Sequence, residues 1–226
     1  MKFPRAQLRA VPALIAVNTV IFLIGLGLGP GFRTWSVHFF ALTASGLMEG
    51  QWWQLITHAF LHGNLLHLLL NMVGLWFAGR IVERILGTKR FLILYFVAAV
   101  SGGLAQILLS GGNHPLIGAS GAVCGVLLAF TTMFAETEIV ALILFVIPIR
   151  MRAKYLGWGI VGTSTLFLII GFEPWIGHAA HLGGCIAGYL FARLDGYGRP
   201  TFLERKLFKK GRTSNISRSY FILHTS

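Results

Sequence analysis

Leu116-Ile117-Gly118-Ala119-Ser120-Gly121-Ala122-Val123-Cys124-Gly125 opens an apolar stretch that runs to about residue 135, with a serine near its start. A hydroxyl in hydrocarbon costs free energy unless it is partnered or used. A later apolar stretch, 175–193, carries His181 in the same relative place. An imidazole there is under the same penalty. Two such groups at matched depth, on helices running the same way, point to a nucleophile and its base.

The remainder of the chain supports a membrane setting. It has 226 residues, 55% of them hydrophobic and 12% charged, with a mean hydropathy of +0.73. A soluble domain carries about 25% charged residues. The apolar residues cluster into windows near the roughly 20 residues that cross a bilayer. Six spans are expected, at 11–30, 57–79, 91–110, 116–135, 153–172 and 175–193. The expected fold is therefore all-α, one polytopic domain of six transmembrane helices with short loops. Residues 1–10 form a cytoplasmic N-terminal segment in this reading, 11–195 the membrane domain and 196–226 a basic cytoplasmic tail. The first span reads as uncleaved: it is longer than a signal-peptide core and no A-x-A site follows closely. Ile139 to Ile147, ending before Pro148, is too short to cross and is expected to be interfacial or re-entrant.

Net charge is +12, yet its distribution argues against nucleic acid. In a six-span arrangement 18 of the 19 Lys and Arg residues fall on one side, and only Arg33 is opposite. The positive-inside rule then places both termini in the cytoplasm. The basic tail reads as a solvated or lipid-headgroup segment. Cys124 and Cys185 both lie inside spans, so they read as small packing residues, with no disulfide or zinc pattern.

With the N-terminus inside, spans 2, 4 and 6 run inward from the outer face. His67, Ser120 and His181 then sit within roughly 10 Å of the outer interface, Ser120 about four residues into its span and His181 about six. In span 6, Gly177, His181, Gly184, Gly188 and Ala192 form one stripe. Gly184 and Gly188 are a G-x-x-x-G pair, and Gly121 and Gly125 are another, the pattern that lets membrane helices touch backbone to backbone. Such contact is what a Ser–His hydrogen bond requires. His67 and Asn71 share a face of span 2. The Asn71 amide, with His67 and the Ser120 N–H, is placed to donate to an oxyanion. No acidic residue falls in the outer half of spans 2, 4 or 6 to orient His181; Glu173 and Glu49 lie before spans 6 and 2. A Ser–His dyad is expected rather than a triad. Hydrolysis also needs an outward-opening polar cavity, for which His58, His62 and Asn64 are candidate lining residues.

Over about residues 8–195 the chain resembles the rhomboid intramembrane serine proteases. The resemblance rests on His67-Leu-Leu-Leu-Asn71, on Gly118-Ala-Ser120-Gly121, and on Ala180-His181-Leu-Gly-Gly184 with Gly188. Thr57-His58-Ala59-Phe60 with His62, and Glu83-Arg84 with Gly87, add to it. It implies Ser120 as nucleophile, His181 as general base, and His67, Asn71 and the Ser120 N–H as oxyanion hole, with Gly118 giving the preceding loop its close backbone approach. It implies no cofactor and no metal. The implied substrates are single-span membrane proteins, cut near the outer end of a helix that helix-breaking residues help to unwind. The partners are these substrates and the lipid bilayer, with no nucleic acid, and a monomer suffices for catalysis. The compact form suggests a bacterial inner membrane with the active site opening outward. Two departures stand out. The first outer loop has Trp52-Trp53-Gln54 where the family usually carries Trp-Arg, so its arginine anchor is gone. Cys124 occupies a position commonly aromatic and packed on the catalytic histidine, which leaves His181 less constrained.

Other readings fit less well. A proteolytically silent rhomboid relative that binds membrane clients typically loses the serine or the histidine, and both are kept here. A metalloprotease using His62, His67, His178 and His181 lacks H-E-x-x-H and a nearby acid. A transporter would place its polar cluster near mid-membrane rather than high on one side.

Overall fold

Arg9 is followed by a run without one charged side chain, and that run folds as a single helix, α1 (Ala10–Gly27). The computed structural model describes residues 9–110, 114–143, 147–172 and 176–197; Glu173 and the tail after Tyr197 lie outside the described residues. Gly29, at φ +81, turns the chain into α2 (Gly29–Phe40), with Pro30 in its first turn where a missing N–H costs nothing. Two short helices follow, α3 (Ala44–Met48), capped by the Thr43 hydroxyl, and α4 (Gln54–Thr57), which runs into a 3-10 turn at His58–Phe60. The connection between the first two spans is thus largely helical.

The second span begins later than expected, and for a local reason. Asn64 caps α5 (Leu65–Gly74), its Oδ1 accepting the His67 N–H at 2.8 Å. A π-helical turn (Leu75–Gly79) carries the helix on into α6 (Arg80–Leu86), and Gly87 at φ +77 stops it. Then come α7 (Thr88–Ser110), α8 (Ser120–Met133), α9 (Ala153–Ile170), closed by Gly171 in the left-handed region, and α10 (His178–Leu194). The short apolar run after α8 forms a two-stranded antiparallel hairpin, β1 (Glu138–Ile143) against β2 (Ile147–Arg152), with Glu138 opposite Arg152 and Ile143 opposite Ile147. Glu136 clasps its base, accepting from Lys154 Nζ at 2.7 Å and Arg152 Nη1 at 2.8 Å.

Polarity is inside out. Leu108, Leu194, Ile169 and Trp158 are well exposed, whereas Asn18, Gln54, His58, Asn71, Glu83 and Gln106 are buried. An apolar exterior around a core holding polar groups suits a lipid solvent, and the chain is an integral membrane protein. By length and composition α1, the α5–α6 unit (Leu65–Leu86), α7 and α9 are long and apolar enough to cross a membrane. The other two expected spans are shorter: α8 has 14 residues and α10 has 17. At 1.5 Å per residue they reach about 21 and 26 Å, against roughly 30 Å of hydrocarbon. They start later because glycines end the preceding loops, Gly118 at φ +118 just before α8 and Gly177 at the N-terminus of α10.

The centre of the bundle is α7, α8 and α10, held at backbone contact by glycine. A Cβ on Gly184 would overlap the carbonyl oxygen of Gly121, and one on Gly188 that of Gly125. Because the paired numbers rise together, α8 and α10 run parallel. On the other flank a Cβ on Gly102 of α7 would lie 2.7 Å from the Ala180 carbonyl oxygen. At the opposite end of the molecule from Ser120, the buried Glu83 carboxylate accepts the N–H groups of Arg9, Ala10 and Val11 and the Thr88 hydroxyl. One side chain of α6 so caps α1 and ties it to α7.

Candidate active site

Ser120 is the first residue of α8, not a position four residues inside it, and His181 is the fourth of α10. Gly118 is the cause. Its positive φ breaks the helix two residues before the serine, and a Cβ there would stand 2.6 Å from the His67 ring. The loop is pinned from both sides. Leu116 exchanges backbone hydrogen bonds with Leu42 at 3.0 and 2.9 Å, and the Gly118 N–H donates to the His58 carbonyl at 2.9 Å. A helix N-terminus is thereby aimed at the serine, whose own N–H has no partner one turn back.

Across the glycine contact, Ser120 Oγ and His181 Nε2 are 2.9 Å apart. With the ring proton on Nδ1, Nε2 accepts the serine O–H, the geometry of a nucleophile and its base. Ser120, His181 and His67 are all partly exposed, so this end of α8 is not sealed off by protein. The His67 ring lies beside the Gly118 backbone, and His62 packs edge-on against it with centroids 5.0 Å apart. Asn71 is buried and one N–H of its amide donates to the His67 carbonyl at 2.8 Å; the amide has a second N–H. The structure thus gathers Ser120 and His181, and places His67 against Gly118, with Asn71 one turn below His67.

Several residues read from sequence take other places. Of the candidate lining residues, His58 and His62 are buried side chains, and Asn64 serves as the α5 cap. His178 Nε2 lies 3.0 Å from the Phe172 carbonyl oxygen, so it ties the end of α9 to the start of α10. Its ring centroid is 6.0 Å from that of His181. The arginine anchor is absent from the loop before α4, and Gln54 takes up its own set of partners there. Gln54 is 1% exposed, accepts the Thr43 N–H at 3.2 Å, donates to Gln51 Oε1 at 2.7 Å and fills the space over Gly46. An amide that both donates and accepts ties the loop where a guanidinium, a donor only, needs acceptors. Among the described residues, no group of three or more His, Cys, Asp or Glu side chains is arranged to hold a metal ion.

Two supporting residues escaped the sequence reading. Gln106 of α7 accepts the Ala180 N–H in the first turn of α10 through Oε1 at 3.3 Å, and the Ser101 hydroxyl donates to the Gly183 carbonyl at 2.9 Å. Both fix α10 against α7 beside His181. Their signal was present as polar residues inside a largely apolar span.

Comparison with known proteins agrees with this arrangement. The family model described as the Rhomboid domain matches residues 49–197. The protein named rhomboid protease GluP of Bacillus subtilis (strain 168) is 32% identical over 189 residues, 83% of this chain and 35% of its own length. The protein named rhomboid protease GlpG of Yersinia pestis (strain Pestoides F) is 36% identical over 149 residues, 64% of this chain and 49% of its own. The chain thus spans about a third to a half of the relatives it matches. With the matched region running from the loop before α4 through α10 and holding Ser120, His67, His181 and the glycine seam between α8 and α10, this chain belongs to the rhomboid family.

Proposed function

We propose that this chain is an intramembrane serine endopeptidase acting through a Ser120–His181 dyad. The carrying observation is the 2.9 Å Oγ–Nε2 contact between two glycine-packed parallel helices. His181 takes the serine proton as Oγ attacks the scissile carbonyl, and the imidazolium then returns it to the leaving amine. The oxyanion is received by the Ser120 N–H at the start of α8, by His67 and by the free N–H of Asn71. A water activated by His181 hydrolyses the acyl-enzyme and restores the serine. Gly118 contributes room: only a residue without Cβ lets the loop lie against His67.

The substrate in this reading is the transmembrane segment of a single-span protein, cut near its outer end where helix-breaking residues let a strand unwind toward Ser120. The shortness of α8 and α10 supports it, because both helices begin late and hold Ser120 and His181 in their first turns. Six spans, cytoplasmic termini, a protease domain over 11–195 followed by a basic tail, and an outward-opening site in a bacterial inner membrane complete the proposal. The one-sided distribution of 18 of 19 basic residues supports the orientation.

The test is cleavage of a single-span substrate with helix-breaking residues, in detergent or proteoliposomes, by wild type and by Ser120→Ala. Cleavage by wild type alone is expected. Equal cleavage by both proteins, or by neither, overturns the assignment.

A further inference from the structure

Cys124 lies four residues after Ser120, and Cys185 lies four residues after His181. On parallel helices in fixed register, the rung that joins serine to histidine is followed one turn later by a rung joining the two cysteines. The glycines set that register. A Cβ on Gly125 would stand 2.9 Å from the Gly184 carbonyl oxygen, and these glycines adjoin Cys124 and Cys185 in sequence. Both cysteines are free. They are the chain's only cysteines.

We propose that Cys124 and Cys185 form an oxidisable dithiol, which a peroxide converts to a disulfide that staples α8 to α10 beneath the dyad and slows turnover. The effect on turnover rests on the proteolytic reading above; the bond itself does not. In the reaction one sulfur attacks a peroxide oxygen, breaking the O–O bond to give a sulfenic acid and water. The second sulfur displaces that hydroxyl as another water, so two electrons pass from sulfur to peroxide and both thiol protons leave in water. Hydrogen peroxide is small and uncharged, and Cys124 is partly exposed. Desolvated thiols react slowly, so the site answers sustained exposure rather than a brief pulse.

Turnover falls because of the seam. A disulfide needs its sulfurs about 2.05 Å apart. The helices cannot slide closer, since Gly121 and Gly184 already touch at the backbone. Whatever shortening side-chain rotation does not supply comes from turning α8 against α10. One turn away, that motion displaces Oγ from Nε2, and catalysis is sensitive to displacements of about 1 Å.

The experiment uses the whole chain in detergent micelles with hydrogen peroxide, read in two ways. Alkylation under denaturing conditions followed by intact mass counts free thiols, and a fluorophosphonate reports Ser120 reactivity. Wild type is expected to lose both thiols together with the mass of two hydrogens and to label about tenfold more slowly, with dithiothreitol restoring both. Cys124→Ala and Cys185→Ala cannot close the disulfide: neither should lose the mass of two hydrogens, the remaining sulfur staying a thiol or gaining oxygen, and each should label at a rate that peroxide leaves unchanged. Two thiols still alkylated after peroxide overturn the proposal. So does a disulfide with unchanged labelling, or an equal loss of labelling in the single-cysteine variants. If untreated wild type neither labels nor cleaves, the proteolytic reading has failed, and the mass alone decides whether the disulfide forms.

Discussion

The residue on which the site turns is Gly118. Its φ of +118 is a conformation that side chains with a Cβ rarely adopt, and the space a Cβ would need is filled by the His67 ring. Gly118→Ala is expected to destabilise by about 1–3 kcal/mol through backbone strain. Displacement of His67 and of the Ser120 loop should lower fluorophosphonate labelling by roughly 100-fold. Thermal melting in detergent and labelling rate separate the two effects. A lowered melting temperature with normal labelling would reduce Gly118 to a folding role. Sequence pattern marked this glycine through its place before the serine, but not its contact with His67.

Among the elements, the α8–α10 pair and the α1–α6 junction decide most. The Gly184 Cα faces the Gly121 carbonyl so closely that any side chain must push the helices apart. Gly184→Val should cost about 1–3 kcal/mol by overpacking and lengthen the Ser–His contact. The expected outcome is loss of labelling out of proportion to the fall in melting temperature, and proportionate losses would count against the register argument. At the other end, Glu83 satisfies three N–H groups of α1 with one buried carboxylate. Glu83→Ala leaves those donors unpaired in a dry site and should cost about 3 kcal/mol, with Glu83→Gln intermediate. Urea or SDS unfolding followed by circular dichroism measures the order. A silent Glu83→Ala would mean that water replaces the carboxylate.

For the whole molecule the open quantity is the number of crossings. Among the described residues four helices satisfy length and apolarity, and α8 and α10 fall short. A six-span arrangement predicts that tags at both ends, and cysteines introduced in the β1–β2 hairpin of a Cys124→Ala, Cys185→Ala background, resist impermeant maleimide in sealed right-side-out vesicles. Cysteines introduced at Trp52 or His114 should react. Labelling of one terminus and not the other would require an odd number of crossings and overturn the arrangement.

Composition, the spacing of small residues and the one-sided basic charge made the membrane class and the helical architecture readable from the sequence, and pointed to the pairing of Ser120 with His181 that the packed helices bring to 2.9 Å. These are local properties: apolar windows report the solvent, and a stripe at helical spacing reports a contact face. The sequence did not reveal that Ser120 opens its helix, that Gln54 holds the outer loop, that α2 fills the first connection, or that the run after α8 becomes a hairpin. Each depends on partners distant in the chain. Gly118 meets His67 and His58, Gln54 meets Thr43, and Gln106 meets Ala180 only once the helices have packed. Helix starts, caps and the depth of the dyad are set by which donors and acceptors the fold brings within about 3 Å, a quantity that tertiary structure alone decides.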